Sequence, residues 1–219
     1  MTIFYKKINL LLSKKKKKKK INFLITGGET AKGLYKYWQK NNDFLKNKNI
    51  NFFLSDERLV PTNKKSSNYN LIKKNLFFDK ISINYNFLSF FNDIKKYKVQ
   101  IKKYKNSLPK YFDIGILSSG SDGHIASIFS NNKESIKSNK KIIFSSSSNK
   151  PRKRISLSLK YIKKTKFLII MFEGTKKGRL AAESIINQSK KEMIISYFSK
   201  NFWIFDKKAY IAYKKKLTN

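Results

Sequence analysis

The sequence predicts an α/β fold, with a mostly parallel sheet and helices on both faces. Three observations lead there. Short apolar runs of strand length recur along the chain, separated by stretches with helical spacing. Several of these runs end in polar loops that carry glycine. At 219 residues the chain is long enough for one domain with a sizeable core. Strands that alternate with helices bury their apolar faces most simply in a parallel sheet covered on both sides.

The elements follow in order. Met1 to Leu12 is an apolar-rich start. Ile21 to Thr26 is an apolar run that stops at Gly27-Gly28 and reads as a buried strand. Thr30 to Gln39 reads as a helix, because Leu34, Tyr37 and Trp38 recur at i, i+3 and i+4. Ile50 to Leu54 is a second strand, ending at Ser55-Asp56-Glu57-Arg58. Ser66 to Phe77 resembles a capped amphipathic helix, Phe87 to Phe91 a short strand or loop, and Ile94 to Leu108 a helix. Phe112 to Leu117, Lys141 to Ser145 and Lys166 to Phe172 read as strands, and Thr175 to Gln188 as a helix. Met193 to Tyr197 and Asn201 to Phe205 read as short closing strands. No internal repeat and no long Pro/Gly linker divides the chain, so residues 1–219 are expected to form one domain.

Composition narrows the function classes. There is no cysteine, which excludes disulfides and thiolate metal sites, and the single histidine argues against a zinc site. No apolar run approaches the roughly 20 residues that span a bilayer, and no signal-peptide core is recognisable. A cytoplasmic protein without membrane attachment is expected. The formal charge of +37 suggests a nucleic-acid binder. Yet lysine dominates the basic residues, arginine is scarce, and the lysines are spread over nearly every segment. Asn, Ile, Phe and Tyr are abundant as well, as a strongly A/T-biased, reduced genome would produce. No specific nucleic-acid partner is therefore expected. The run Lys14 to Lys20 reads as a solvated connector at a short, variable amino end.

Three loops carry the chemistry. His124 lies in Gly120-Ser121-Asp122-Gly123-His124, directly after the strand at Phe112 to Leu117. Histidine has the unperturbed pKa nearest neutrality, and open α/β sheets bind ligands outside the carboxyl ends of their strands. His124 is thus a candidate general base. Thr26-Gly27-Gly28-Glu29-Thr30 joins a strand to a helix, where glycines and free helix N–H groups can cradle an anion. Arg58 is a candidate phosphate ligand, with Asp56 or Glu57 orienting it or meeting a sugar hydroxyl. Lys150 to Ser156 and Gly174 to Lys177 add cations at the loop level.

Together these pieces resemble the 6-phosphogluconolactonase family over nearly the whole chain. Gly27-Gly28-Glu29-Thr30 is similar to its phosphate loop, usually Ser-Gly-Gly-Ser-Thr-Pro. Ser55-Asp56-Glu57-Arg58-Leu59-Val60-Pro61, with Ser67-Asn68-Tyr69, resembles its Asp-Glu-Arg segment. Gly120 to Phe129 resembles its most specific motif, Gly-Pro-Asp-Gly-His-Thr-Ala-Ser-Leu-Phe. Arg154-Ile155-Ser156-Leu157, Gly174-Thr175-Lys176-Lys177 and Trp203-Ile204-Phe205-Asp206 resemble later segments. The related glucosamine-6-phosphate deaminases and isomerases share the fold but continue their Asp-Gly-His loop differently.

The resemblance implies a Rossmann-like, sugar-phosphate isomerase-type fold. It implies hydrolysis of 6-phospho-D-glucono-1,5-lactone in the pentose phosphate pathway, with no metal, no cofactor and a monomeric chain. His124 would be the base and Asp122 its orienting partner. Gly27, Gly28, Thr30, Arg58 and Lys177 would hold the phosphate, and Arg154 would contact substrate. Backbone N–H groups near Gly120 or Gly123 would stabilise the oxyanion. Two readings compete: a deaminase or isomerase on the same fold, and a basic nucleic-acid-binding protein. Glu29, Ala31 and Ser121 depart from the family pattern, and a carboxylate at position 29 would repel phosphate unless turned away.

Overall fold

The structure, a computed structural model, describes residues 2–13, 20–41, 49–77, 84–187 and 193–218. The lysine run falls outside them except for Lys20, which opens the first strand. The strands are β1 (Lys20–Ile25), β2 (Asn49–Leu54), β3 (Asp56–Arg58), β4 (Asn84–Leu88), β5 (Ile114–Ser118), β6 (Ile142–Ser146), β7 (Lys153–Leu157), β8 (Phe167–Phe172) and β9 (Phe202–Phe205). The helices are α1 (Thr2–Ser13), α2 (Glu29–Lys40), α3 (Asn68–Asn75), α4 (Tyr97–Ser107), α5 (Lys133–Lys137), α6 (Leu159–Ile162), α7 (Thr175–Ile186) and α8 (Lys207–Thr218).

Six strands form one sheet in the order β4-β2-β1-β5-β8-β9, and every neighbouring pair is parallel. Successive strand residues point to opposite faces, so adjacent phenylalanines report both sides. Phe52 meets Phe23 at 5.4 Å between ring centroids, and Phe23 meets Trp38 of α2 at 5.9 Å. Phe53 faces the other way, against Phe112 at 5.4 Å and Tyr104 of α4 at 6.3 Å. Helices therefore cover both faces, as expected. The chain winds outward from β1 through β2 to β4, then returns to β5 and winds the other way. The strand order thus reverses between β1 and β5, and a crevice opens at their carboxyl ends.

The second sheet was not foreseen as separate. Strands β3, β7 and β6 form an antiparallel trio beside the crevice. The run Lys141 to Ser145 is a strand, but it pairs here and not in the main sheet. Met193 to Tyr197 is not a strand. Ile194–Phe198 is a 3-10 turn in which the Ser196 N–H donates to the Met193 carbonyl at 3.1 Å. Ile194 and Ile195 are consecutive and both buried, so the run was apolar without alternating. The helix expected over Ile94 to Leu108 begins as a 3-10 turn and stops before Leu108-Pro109, where proline disfavours helical geometry. The amino-terminal run is a helix: Phe4, Tyr5, Ile8 and Leu12 of α1 form its buried stripe. Helix α8 escaped prediction because lysines dominate it; Ala209 and Ala212, three apart, are its buried face. Among the described residues, no helix is long and apolar enough to cross a membrane.

Candidate active site

A cleft of about 310 Å³ occupies the crevice at the strand reversal. Its floor comes from the loops after β1 and β5, Thr26 to Gly28 and Ser118 to Gly120. The antiparallel trio supplies one wall, including Asp56, Arg58 and Arg154, and α7 supplies Lys177.

The histidine loop is folded on itself. The Gly120 N–H donates to the His124 carbonyl at 2.9 Å, and the Gly123 N–H donates to the Gly120 carbonyl at 3.3 Å. His124 Nδ1 is hydrogen-bonded to Asp122 Oδ1. That bond, foremost, holds the Asp122 carboxyl down to about 2. An ionised carboxylate only accepts, so Nδ1 carries the proton and Nε2 is left as the basic nitrogen. The Phe129 ring lies against the imidazole at 4.9 Å. Gly120 is required here, since a Cβ at that position would sit 2.1 Å from the imidazole ring. The N–H groups of Gly120 and Gly123 are spent inside the loop, which corrects their expected role as oxyanion donors. Gly123 does not line the cleft; its carbonyl accepts from the Ile195 N–H behind the loop.

The cationic groups converge on the cleft. Lys177 Nζ donates to Thr30 Oγ1 at 3.1 Å and to Ser118 Oγ at 3.0 Å, and burial lowers its pKa. An ammonium has three donors, so one remains for a ligand. Arg58 and Arg154 are direct cross-strand partners in the β3–β7 pair. Arg58 Nη1 donates to the Ser66 carbonyl. Arg154 is only 7 % exposed, and its Nε has no hydrogen-bond partner. Burial, then the neighbouring Arg58 charge, lowers its pKa. Among the described residues, three buried side-chain polar atoms lack a partner: Arg58 Nε, Arg154 Nε and Asn68 Oδ1. All three residues line this cleft. A buried polar atom left unpaired costs roughly 1–3 kcal/mol, so the two arginine Nε–H donors are unmet demand for an anion, while Asn68 Oδ1, an acceptor, calls for a donor such as a hydroxyl.

A family model described as glucosamine-6-phosphate isomerases/6-phosphogluconolactonase matches residues 4–202. The chain belongs to this family. The 6-phosphogluconolactonase of Borreliella burgdorferi is 32 % identical over 187 residues, covering 78 % of this chain and 77 % of the relative. That of Thermotoga maritima is 28 % identical over 194 residues, covering 86 % and 85 %. Among solved structures, a 6-phosphogluconolactonase from Shewanella baltica superposes with a TM-score of 0.76 at 18 % identity, covering 93 % of this chain and 92 % of its own. A monomeric glucosamine-6-phosphate deaminase superposes with a TM-score of 0.72 at 16 % identity over 95 % of each chain. At these identities the two structures speak to the fold alone.

The loop from Thr26 to Gly28 joins β1 to α2 and lines the cleft. Glu29 lines the cleft as well, but its side chain is 82 % exposed and its carboxylate is paired with Lys32 Nζ at 3.0 Å, so its charge is answered by a cation. Gly28 has φ +92° at the start of α2. Gly27 is needed for close approach: a Cβ there would lie 1.9 Å from Asn68 Oδ1. Gly27→Ala is therefore expected to expel the Asn68 side chain and break its 2.8 Å bond to the Asp56 carbonyl. A loss of roughly 1–3 kcal/mol should appear in denaturant melts, together with a raised KM.

Most site residues expected from the sequence gather here. Gly27, Gly28, Arg58, Gly120, His124, Arg154 and Lys177 line the cleft, while Thr30 and Asp122 reach it through Lys177 and His124. Asn68, Ser118 and Phe129 were missed as cleft residues. Asp56 was foreseen only loosely. Its carboxylate accepts from Ser55 Oγ at 2.8 Å and from Ser127 Oγ at 2.7 Å, tying β3 to the histidine loop. The two-residue period of a strand was the available signal: read that way, Asp56 and Arg58 share a face and Glu57 takes the other.

Proposed function

We propose that the cleft hydrolyses 6-phospho-D-glucono-1,5-lactone to 6-phospho-D-gluconate, the lactonase step of the pentose phosphate pathway. The carrying observation is one polar cleft that holds an aspartate-oriented histidine beside a buried and a half-buried arginine, each with an unpaired Nε. The family membership and the curated 6-phosphogluconolactonase relatives support the same reaction.

In this reading Arg58, Arg154, Lys177, Thr30 and the Gly27-Gly28 turn hold the 6-phosphate. His124 Nε2 takes a proton from water as the water oxygen attacks the lactone carbonyl carbon. The tetrahedral intermediate then collapses, the bond from that carbon to the ring oxygen breaks, and the imidazolium returns the proton to the leaving oxygen. Asp122 keeps the reactive nitrogen facing out of the loop. The reading carries with it a single catalytic domain acting as a cytoplasmic monomer, without cofactor or metal.

Generating the lactone in place by oxidising glucose 6-phosphate, and following its disappearance against the spontaneous opening, tests the proposal. Faster disappearance with the protein is expected, with no ammonia released from glucosamine 6-phosphate. Ammonia release without lactone hydrolysis would assign the cleft to the deaminase branch.

A further inference from the structure

We propose that Glu57 is the positioning residue of the cationic wall: without lining the cleft, its carboxylate fixes β3 against the start of α3 and so sets where Arg58 and Asn68 stand. The inference rests on the lactonase reading only for its choice of ligand.

Glu57 is 0 % exposed and surrounded by donors. Its Oε1 accepts from the Arg58 N–H at 2.7 Å and the Asn68 N–H at 2.7 Å. Its Oε2 accepts from Ser67 Oγ at 3.0 Å and the Tyr69 N–H at 2.6 Å. Asn68 and Tyr69 open α3, so the carboxylate takes helix N–H groups that have no partner within the helix. Its immediate neighbours Asp56 and Arg58 line the cleft, as does Asn68. The amide of Asn68 is fixed as well: Nδ2 must face the Asp56 carbonyl, because only the nitrogen donates. One buried group thus holds two stretches of the wall in register.

Burial outweighs the four hydrogen bonds and pushes the Glu57 carboxyl up to about 7. The charged groups around it are Asp56 and Arg58 on β3 and Arg154 on β7. A carboxyl raised from 4.5 to about 7 favours folding most below 4.5, and that contribution is lost as pH rises through about 7. Around neutral pH the fold thus forgoes part of that contribution at the position that organises its site.

Glu57→Gln is the test. The amide nitrogen can sit beside the Ser67 hydroxyl, which rotates to accept, and the Tyr69 N–H then loses its acceptor. We expect the KM for the lactone and the calorimetric Kd for inorganic phosphate both to rise about tenfold, with kcat within roughly threefold of wild type. The stability of wild type relative to this variant should decline as pH rises from about 4.5 to about 7. A folded variant with unchanged KM and unchanged phosphate Kd overturns the proposal. So does a loss of folded enzyme or of kcat with KM unchanged, which is what a purely structural residue would give. Should Glu57→Gln not fold, Glu57→Asp, which keeps the charge but reaches fewer donors, is judged by the same two constants. Wild-type protein that binds phosphate but leaves the lactone alone would sink the lactonase reading and leave Glu57 to be judged on the phosphate Kd. Wild-type protein that binds no phosphate overturns both.

Discussion

His124→Ala is expected to lower kcat for lactone hydrolysis by roughly 10²–10⁴-fold, with KM little changed. In the proposed reaction the imidazole takes the proton from water, and other side chains hold the phosphate. His124 is the sole histidine of the chain, so no second imidazole can substitute. Folding should be spared, because the His124 side chain is about a third exposed, at 31 %. The measurement needs the spontaneous rate subtracted, since the lactone opens without enzyme. Asp122→Asn gives the companion result. It preserves shape but removes the carboxylate that fixes the protonated nitrogen, so kcat should fall by less than in His124→Ala. A variant without His124 that keeps its full rate would remove the imidazole from the mechanism and leave the cleft's phosphate wall standing.

Arg154→Met should separate binding from stability. The guanidinium is almost wholly buried beside a second arginine, with its Nε unpaired. On the lactonase reading, removing it deletes a charge-assisted contact to phosphate worth roughly 1.5–3 kcal/mol, or about 10- to 150-fold in KM. The same change replaces a buried, poorly paired charge by an apolar chain of similar length, which is often neutral or stabilising. The expected pair of results is a raised KM and an unchanged or higher Tm in the absence of ligand. A lower Tm with an unchanged KM would make Arg154 a structural residue and transfer the phosphate to Arg58 and Lys177.

Much of this could be read from the chain, for identifiable reasons. The runs at Ile21, Ile50, Phe112 and Phe167 are strands buried on both faces, so their apolar signal is continuous. The loops that follow carry glycine or charge because a ligand must approach them. What could not be read depends on partners distant in the chain. Strand β3 is three residues long and exists through its pairing with β7. Its neighbour relation between Arg58 and Arg154 is invisible locally, so Arg154 could be proposed from resemblance but not from geometry. Glu57 looked like a possible sugar ligand because composition cannot say which way a side chain points. The 3-10 turn at 194–198 and the lysine-coated α8 failed for opposite reasons: one was apolar without alternation, the other helical with little apolar face.

The register of Arg58 against Arg154 has a consequence for how the molecule comes into being. The two cations belong to stretches far apart in the chain, one laid down before β5 and the other after it, and like charges resist being brought together. Pairing β3 with β7 sets the two like charges side by side, a cost that a bound anion would offset. On the lactonase reading a phosphorylated sugar in the cleft acts as a clasp across that seam, and binding to the folded form alone stabilises it. On the same reading, the folded protein should resist proteolysis longer when its substrate is present.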